Sequence, residues 1–154
     1  MVDNPHIMIV QARFYADIAD ELMRGAVAAL DAAGATHDSY EVPGAFEIPS
    51  AINMAIRSMD FSTLRRRFDG YVALGCVIRG ETSHYDYVCA ESARGLQDLA
   101  LRHTLAIGYG ILTVETKAQA EERAAVEGRD KGGEAVRACL RMIELKNQFK
   151  LYPR

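Results

Sequence analysis

Short apolar runs alternate along this chain with longer segments whose apolar residues recur at helical spacing. His6-Ile7-Met8-Ile9-Val10 is a near-continuous apolar run of strand length, the pattern of a strand covered on both faces. Ile18, Leu22, Ala26, Leu30 and Ala33 then repeat at every third or fourth position, which predicts a first helix. Gly34 stands where its C-terminal cap belongs. Residues 38–42 read as a second strand stopped by Pro43-Gly44. Pro49 suits a first helical turn, and Ile52, Ala55, Ile56 and Met59 mark a second helix. Residues 60–68 are polar and basic and read as a surface loop, with the Arg65-Arg66-Arg67 cluster inside it. Residues 71–76 form a third strand, followed by a helical stripe at Val88, Ser92, Leu96, Leu99 and Ala100. Residues 105–114 supply a fourth strand. Gly108 and Gly110 inside it mark close approach by a ligand or another backbone. Residues 117–127 and 133–150 are both helical, with Gly128 as the break and Val136, Cys139, Leu140, Ile143 and Leu145 as the second stripe.

This alternation of strand and helix implies a parallel sheet with helices on both faces. Ligands in such sheets bind beyond the carboxyl ends of the strands. That rule singles out the chain after Val10, after Val42, after Ile78 and around Tyr109. No repeat, low-complexity tract or linker divides the sequence, so residues 1–154 are expected to form a single domain.

Composition narrows the function classes. With 49% hydrophobic and 25% charged residues the chain reads as a soluble globular protein, and a net charge of −3 makes no electrostatic case for nucleic acid or an anionic membrane. No apolar window is long enough for a membrane helix, and the first residues lack the basic start of a secretory leader. Cys76, Cys89 and Cys139 are scattered and without metal-binding spacing, so they read as reduced packing residues. A cytoplasmic location is the expectation.

Candidate chemistry sits after the strands. Phe14 either stacks on a planar ring or packs under the first helix. In "VPGAFEIP", Val42 to Pro49, the turn points the amides of Ala45 and Phe46 toward a ligand. Glu47 either binds a polyol or caps the next helix. In "LGCVIRGETSHYDYV", Gly80 lets the backbone approach a ligand, and Glu81 and Thr82 offer N–H groups at a helix start, which suits a phosphate. His84 follows within one turn and suits acid–base work near neutrality; otherwise it is a surface histidine beside a cap. Arg123 and Lys131, either side of Gly128, read on their own as solvated helix faces. No nucleophile–base–orienter triad and no metal-ligand spacing is evident.

Taken together, "ARFY", "VPGAFEIP", "LGCVIRGETSHYDYV", "GYGILTVE", "QAEERA" and "DKGGEA" resemble, in order and spacing, the 6,7-dimethyl-8-ribityllumazine synthases of riboflavin biosynthesis. The likeness runs from about Ile7 to Leu145. It implies a three-layer α/β/α sandwich around a four-stranded parallel, flavodoxin-like sheet. It also implies a transferase without cofactor or metal, which condenses 5-amino-6-(D-ribitylamino)uracil with 3,4-dihydroxy-2-butanone 4-phosphate and releases phosphate and water. By that resemblance Phe14 stacks on the pyrimidine, and Ala45, Phe46, Glu47, Cys76, Val77 and Ile78 line the pyrimidine and ribityl site. The turn of Gly80, Glu81 and Thr82 takes the phosphate, and His84 moves protons. A neighbouring subunit of a homopentamer contributes Tyr109, Arg123 and Lys131. The link at residues 124–130 departs from the glycine-rich pattern of members that build larger shells, so a pentamer is expected. A rival implication is a low-activity paralogue that binds a flavin or lumazine. A flavodoxin-like redox module is less consistent with Arg123 and Lys131.

Overall fold

Strands β1 (His6–Ala12), β2 (Thr36–Val42), β3 (Gly70–Ile78) and β4 (Ile107–Val114) pair in the order β2-β1-β3-β4, all parallel. The computed structural model describes residues 4–61 and 68–151, and the Arg65–Arg67 cluster lies outside them. The helices are α1 (Ala16–Ala32), α2 (Ile48–Ser58), α3 (His84–His103), α4 (Lys117–Ala124) and α5 (Lys131–Gln148). A single 3-10 turn, Ala45–Glu47, leads into α2.

Side chains alternate across the strands, and this alternation sorts the core into two faces. Met8, Val10 and Ala73 pack with Ile48 and Ile52 of α2 and with Val88, Leu96 and Leu99 of α3. Ile7, Ile9, Val72 and Leu74 face the other way, against Ala26 and Leu30 of α1 and Val136, Cys139 and Ile143 of α5. Cys76, Leu112 and Val114 meet Ile18, Leu22, Ala120 and Ala124 near the carboxyl ends of β3 and β4. The result is a three-layer α/β/α sandwich of the flavodoxin-like kind, with two helices on one side of the sheet and three on the other.

Gly34 adopts φ +68° just beyond the C-cap Ala33, so the chain turns out of α1 in the left-handed conformation that glycine tolerates. Pro49 occupies the first turn of α2. Thr116 caps α4 in a capping box. Its hydroxyl accepts from the Gln119 N–H at 3.2 Å, while the Gln119 carboxamide oxygen accepts from the Thr116 N–H at 3.3 Å.

Several boundaries and environments differ from expectation. β1 and β3 run past the expected 6–10 and 71–76, because hydrogen-bonded neighbours carry polar residues such as Gln11 into the ladder. α4 ends at Ala124, not Glu127, and α5 begins at Lys131, capped by the side chain of Asp130. Phe68, read as loop, is buried: its ring stacks on His6 at 5.3 Å and meets Tyr71 edge-on at 6.0 Å. In β4, the close neighbour at Gly108 is protein backbone. A side chain there would strike the Ala135 carbonyl, so α5 lies directly on the strand.

Candidate active site

The carboxyl ends of β1, β2 and β3 open into one groove of about 860 Å³. β1 delivers Phe14 and Tyr15, the turn after β2 delivers Pro43 to Glu47, and β3 delivers Cys76, Val77 and Ile78. The first two turns of α3 complete it with His84, Tyr87, Val88 and Glu91. Eight of the expected site residues therefore converge: Phe14, Ala45, Phe46, Glu47, Cys76, Val77, Ile78 and His84.

Local geometry separates the competing readings. The Phe14 ring is 76% exposed, so it does not pack under α1; it meets Tyr15 edge-on at 5.0 Å and leaves a face to the groove. Glu47 is the N-cap residue of α2, yet its side chain makes no capping bond. Its carboxylate folds back over Gly44 and lines the groove, an arrangement suited to hydroxyl donors. Phe46 is 54% exposed at the rim.

The helix beyond β3 starts later than its sequence suggests. α3 begins at His84 with Ser83 as N-cap, and Ser83 makes no side-chain cap. Gly80, Glu81 and Thr82 form an exposed arch ahead of it and are not groove-lining. The Thr82 hydroxyl accepts from the His84 N–H at a long 3.4 Å. A side chain at Gly80 would meet nothing within 4 Å, so the arch is open for an approaching ligand. Arg79 braces its base: Nε donates to Glu115 at 2.8 Å, Nη2 to Asp86 at 3.3 Å, and the guanidinium lies 4.2 Å over the Tyr85 ring. Asp86, then Glu115, pushes the Arg79 pKa up, so this cation is already matched by carboxylates.

Tyr109, Arg123 and Lys131 are not brought to this groove. Tyr109 was expected near a carboxyl end, but it pairs with Ala73 well inside β4, whose end is Val114. It lines a second groove of about 630 Å³ between α3, β4 and α5, with Leu101, Met142 and Lys146. Burial raises its phenol pKa, and a hydrogen bond with Ser92 opposes that rise. Arg123 Nη1 donates to the Gln119 carbonyl at 3.1 Å, and Lys131 pairs with Glu134 at 2.7 Å. Tyr87, Val88 and Glu91 were missed as site residues. Their signal was available, since positions three, four and seven after His84 share its helical face.

The cysteines behave as packing residues, and all are free thiols. Burial pushes Cys76 up to about 11 and Cys139 up to about 12, and it also raises Cys89. Cys139 is in addition held protonated by the Ala106 carbonyl at 3.5 Å. At pH 8 a thiol reagent should modify Cys89 well before the other two, read by intact mass; equal rates would contradict the burial. Because the folded value of Cys139 lies above the ordinary 9.0, its stabilisation is complete below about pH 9 and is lost as pH rises toward 12. Tm should fall over that alkaline interval.

Fold and groove define an α/β protein with a groove of small-molecule size at the carboxyl edge of a parallel sheet. The comparisons with known proteins make this specific. The sequence model of 6,7-dimethyl-8-ribityllumazine synthase matches residues 4–147. The chain is 58% identical over 144 residues to 6,7-dimethyl-8-ribityllumazine synthase 1 of Rhizobium meliloti (strain 1021), covering 94% of this chain and 93% of that one. It is 54% identical over 148 residues to the 6,7-dimethyl-8-ribityllumazine synthase of Agrobacterium fabrum, covering 96% and 99%. At 45% identity over 145 residues it matches the synthase of Paramagnetospirillum magneticum, covering 94% and 97%. The chain belongs to the 6,7-dimethyl-8-ribityllumazine synthase family, and it is an enzyme of the transferase type. Among the described residues no helix is long and apolar enough to cross a membrane.

Proposed function

We propose that the protein condenses 5-amino-6-(D-ribitylamino)uracil with 3,4-dihydroxy-2-butanone 4-phosphate, releasing phosphate and water and forming 6,7-dimethyl-8-ribityllumazine. The observation that carries this reading is the convergence of Phe14, Ala45 to Glu47, Cys76 to Ile78 and His84 in one groove. The exposed face of Phe14 takes the pyrimidine by stacking. Val77 and Ile78 form the opposing apolar wall with Cys76, while the Ala45 and Phe46 amides and the uncommitted Glu47 carboxylate take ring and ribityl polar groups.

The amine of the pyrimidine attacks the ketone, the carbinolamine loses water, phosphate departs, and the ribitylamino nitrogen closes the ring on the remaining carbonyl carbon with loss of a second water. Protons move at each of these steps, and the His84 imidazole at the groove wall is the group placed to carry them. The arch of Gly80, Glu81 and Thr82, with the side-chain-uncapped start of α3, receives the phosphate through N–H and hydroxyl groups. The Glu81 carboxylate turns away from that anion. Much of the remaining acceleration comes from holding two substrates in register.

The phosphate site needs a cation, and Arg79 is already paired. In this reading a neighbouring subunit of a homopentamer supplies Arg123 and Lys131, with Tyr109 at the contact. Support comes from the second groove, where Leu101 of α3 is 73% exposed and Met142 of α5 and Tyr109 of the edge strand β4 lie partly bare, a face suited to a partner.

The test mixes the purified protein with both substrates and follows lumazine fluorescence and released phosphate together. The two signals should rise in equal amounts and well above the uncatalysed condensation. Turnover no better than that background, with micromolar binding intact, would replace the enzyme by a binding protein.

A further inference from the structure

The segment that carries Arg123 and Lys131 is held by α1 and not by its own sequence alone. Within the α4–α5 link, Gly128 N–H and Asp130 N–H donate to the Ala125 carbonyl, and Arg129 N–H donates to the Glu122 carbonyl. Val126 N–H instead leaves the link and donates to Glu21 Oε1 at 3.0 Å. Arg24 joins the same point: its Nη2 donates to Glu21 at 2.6 Å and to both Glu127 oxygens at 3.0 and 3.1 Å. On either side, Lys117 pairs with Asp17 at 3.0 Å, and Gly132 lies against the Leu22 backbone so closely that no side chain fits.

The two kinds of contact differ in what they can fix. Arg24 is half exposed and its ion pairs are solvated, so they add little constraint. The Glu21–Val126 bond is charge-assisted and grips the main chain, three residues after Arg123 and five before Lys131. The N-cap residue of α1, Tyr15, lines this chain's own groove. One helix is therefore tied at its start to the groove the chain keeps and along its side to the cations it would lend.

We infer that Glu21 is a positioning residue: by accepting the Val126 N–H it sets where Arg123 reaches in the neighbouring subunit's phosphate site. This rests on the shared-site reading above. A displaced link leaves the pyrimidine wall intact, because no residue of 117–131 lines that groove. The effect should thus fall on one substrate only.

The experiment is steady-state kinetics on the full-length assembled protein with each substrate varied in turn. Glu21→Ala should raise KM for the butanone phosphate roughly 5- to 30-fold, with KM for the pyrimidine unchanged. Glu21→Leu, which fills the space without an acceptor, should do the same. Glu21→Gln keeps an oxygen for the amide and should return KM to within about threefold, and Arg24→Ala should behave like the parent. Adding Glu21→Ala to Arg123→Ala should raise KM no further, since both act on one contact. Equal losses for both substrates, additive losses in the double variant, or failure of glutamine to rescue would overturn the inference. If Arg123→Ala alone leaves KM unchanged, the shared-site reading fails; if it raises KM while Glu21→Ala does not, only the role of Glu21 fails.

Discussion

Arg123→Ala is expected to raise KM for 3,4-dihydroxy-2-butanone 4-phosphate by roughly 10- to 150-fold, corresponding to about 1.5–3 kcal/mol of lost charge-assisted bonding. KM for the pyrimidine should stay close to its starting value. The guanidinium is 29% exposed and is aimed by its own helix, with Nη1 held by the Gln119 carbonyl at 3.1 Å. Gln119 is in turn fixed by the capping box with Thr116, so the arginine leaves a rigid platform. The Glu122 carboxylate lies 3.7 Å away, too distant for a full hydrogen bond. Arg123→Lys should fall between parent and alanine, because a point charge replaces a planar fork. Initial rates against each substrate decide the matter, and an unchanged phosphate KM would leave Arg123 a solvent-facing residue.

His84→Ala should lower kcat on the order of 10²-fold, at the lower end of what a positioned acid–base group supplies, because the condensation also proceeds unaided. Its KM values should move less than about threefold. The imidazole stands at the first residue of α3, and its backbone is anchored by the helix while its ring lines the groove. Tyr87 and Val88, one turn on, keep the wall in place when the ring is removed. A pure loss of affinity, with kcat intact, would assign His84 to binding and not to proton transfer.

The strands were legible because β1 and β3 are covered on both faces and read as unbroken apolar runs, and the groove followed because ligands in such sheets bind at the carboxyl edge. Phe14, Glu47 and His84 could be grouped on that rule alone. Recognition of the family added roles that no local pattern carries, above all those of Arg123 and Lys131. The start of α3 was misplaced because Thr82 and Ser83 are both good capping types, and only the backbone decides between them. Burial of Phe68 depends on His6, which is distant in sequence, so no local pattern could predict it. Gly108 signalled close approach correctly, but the partner, Ala135, belongs to a helix whose placement the pattern did not reveal. Tyr109 was singled out by the rule that ligands bind beyond strand ends, whereas its register opposite Ala73 sets it mid-strand.

Cys76 bears on how long the enzyme can survive its own chemistry. The proposed phosphate substrate is an electrophilic hydroxyketone, and it would react beside a wall that includes this sulfur. With the thiol pushed up to about 11, only about one molecule in 10⁴ carries the thiolate at neutral pH. The sulfur fills space without competing with the incoming amine for the carbonyl. Burial first, and the Asp17 charge after it, thus keep this sulfur in the form that is least reactive toward a ketone.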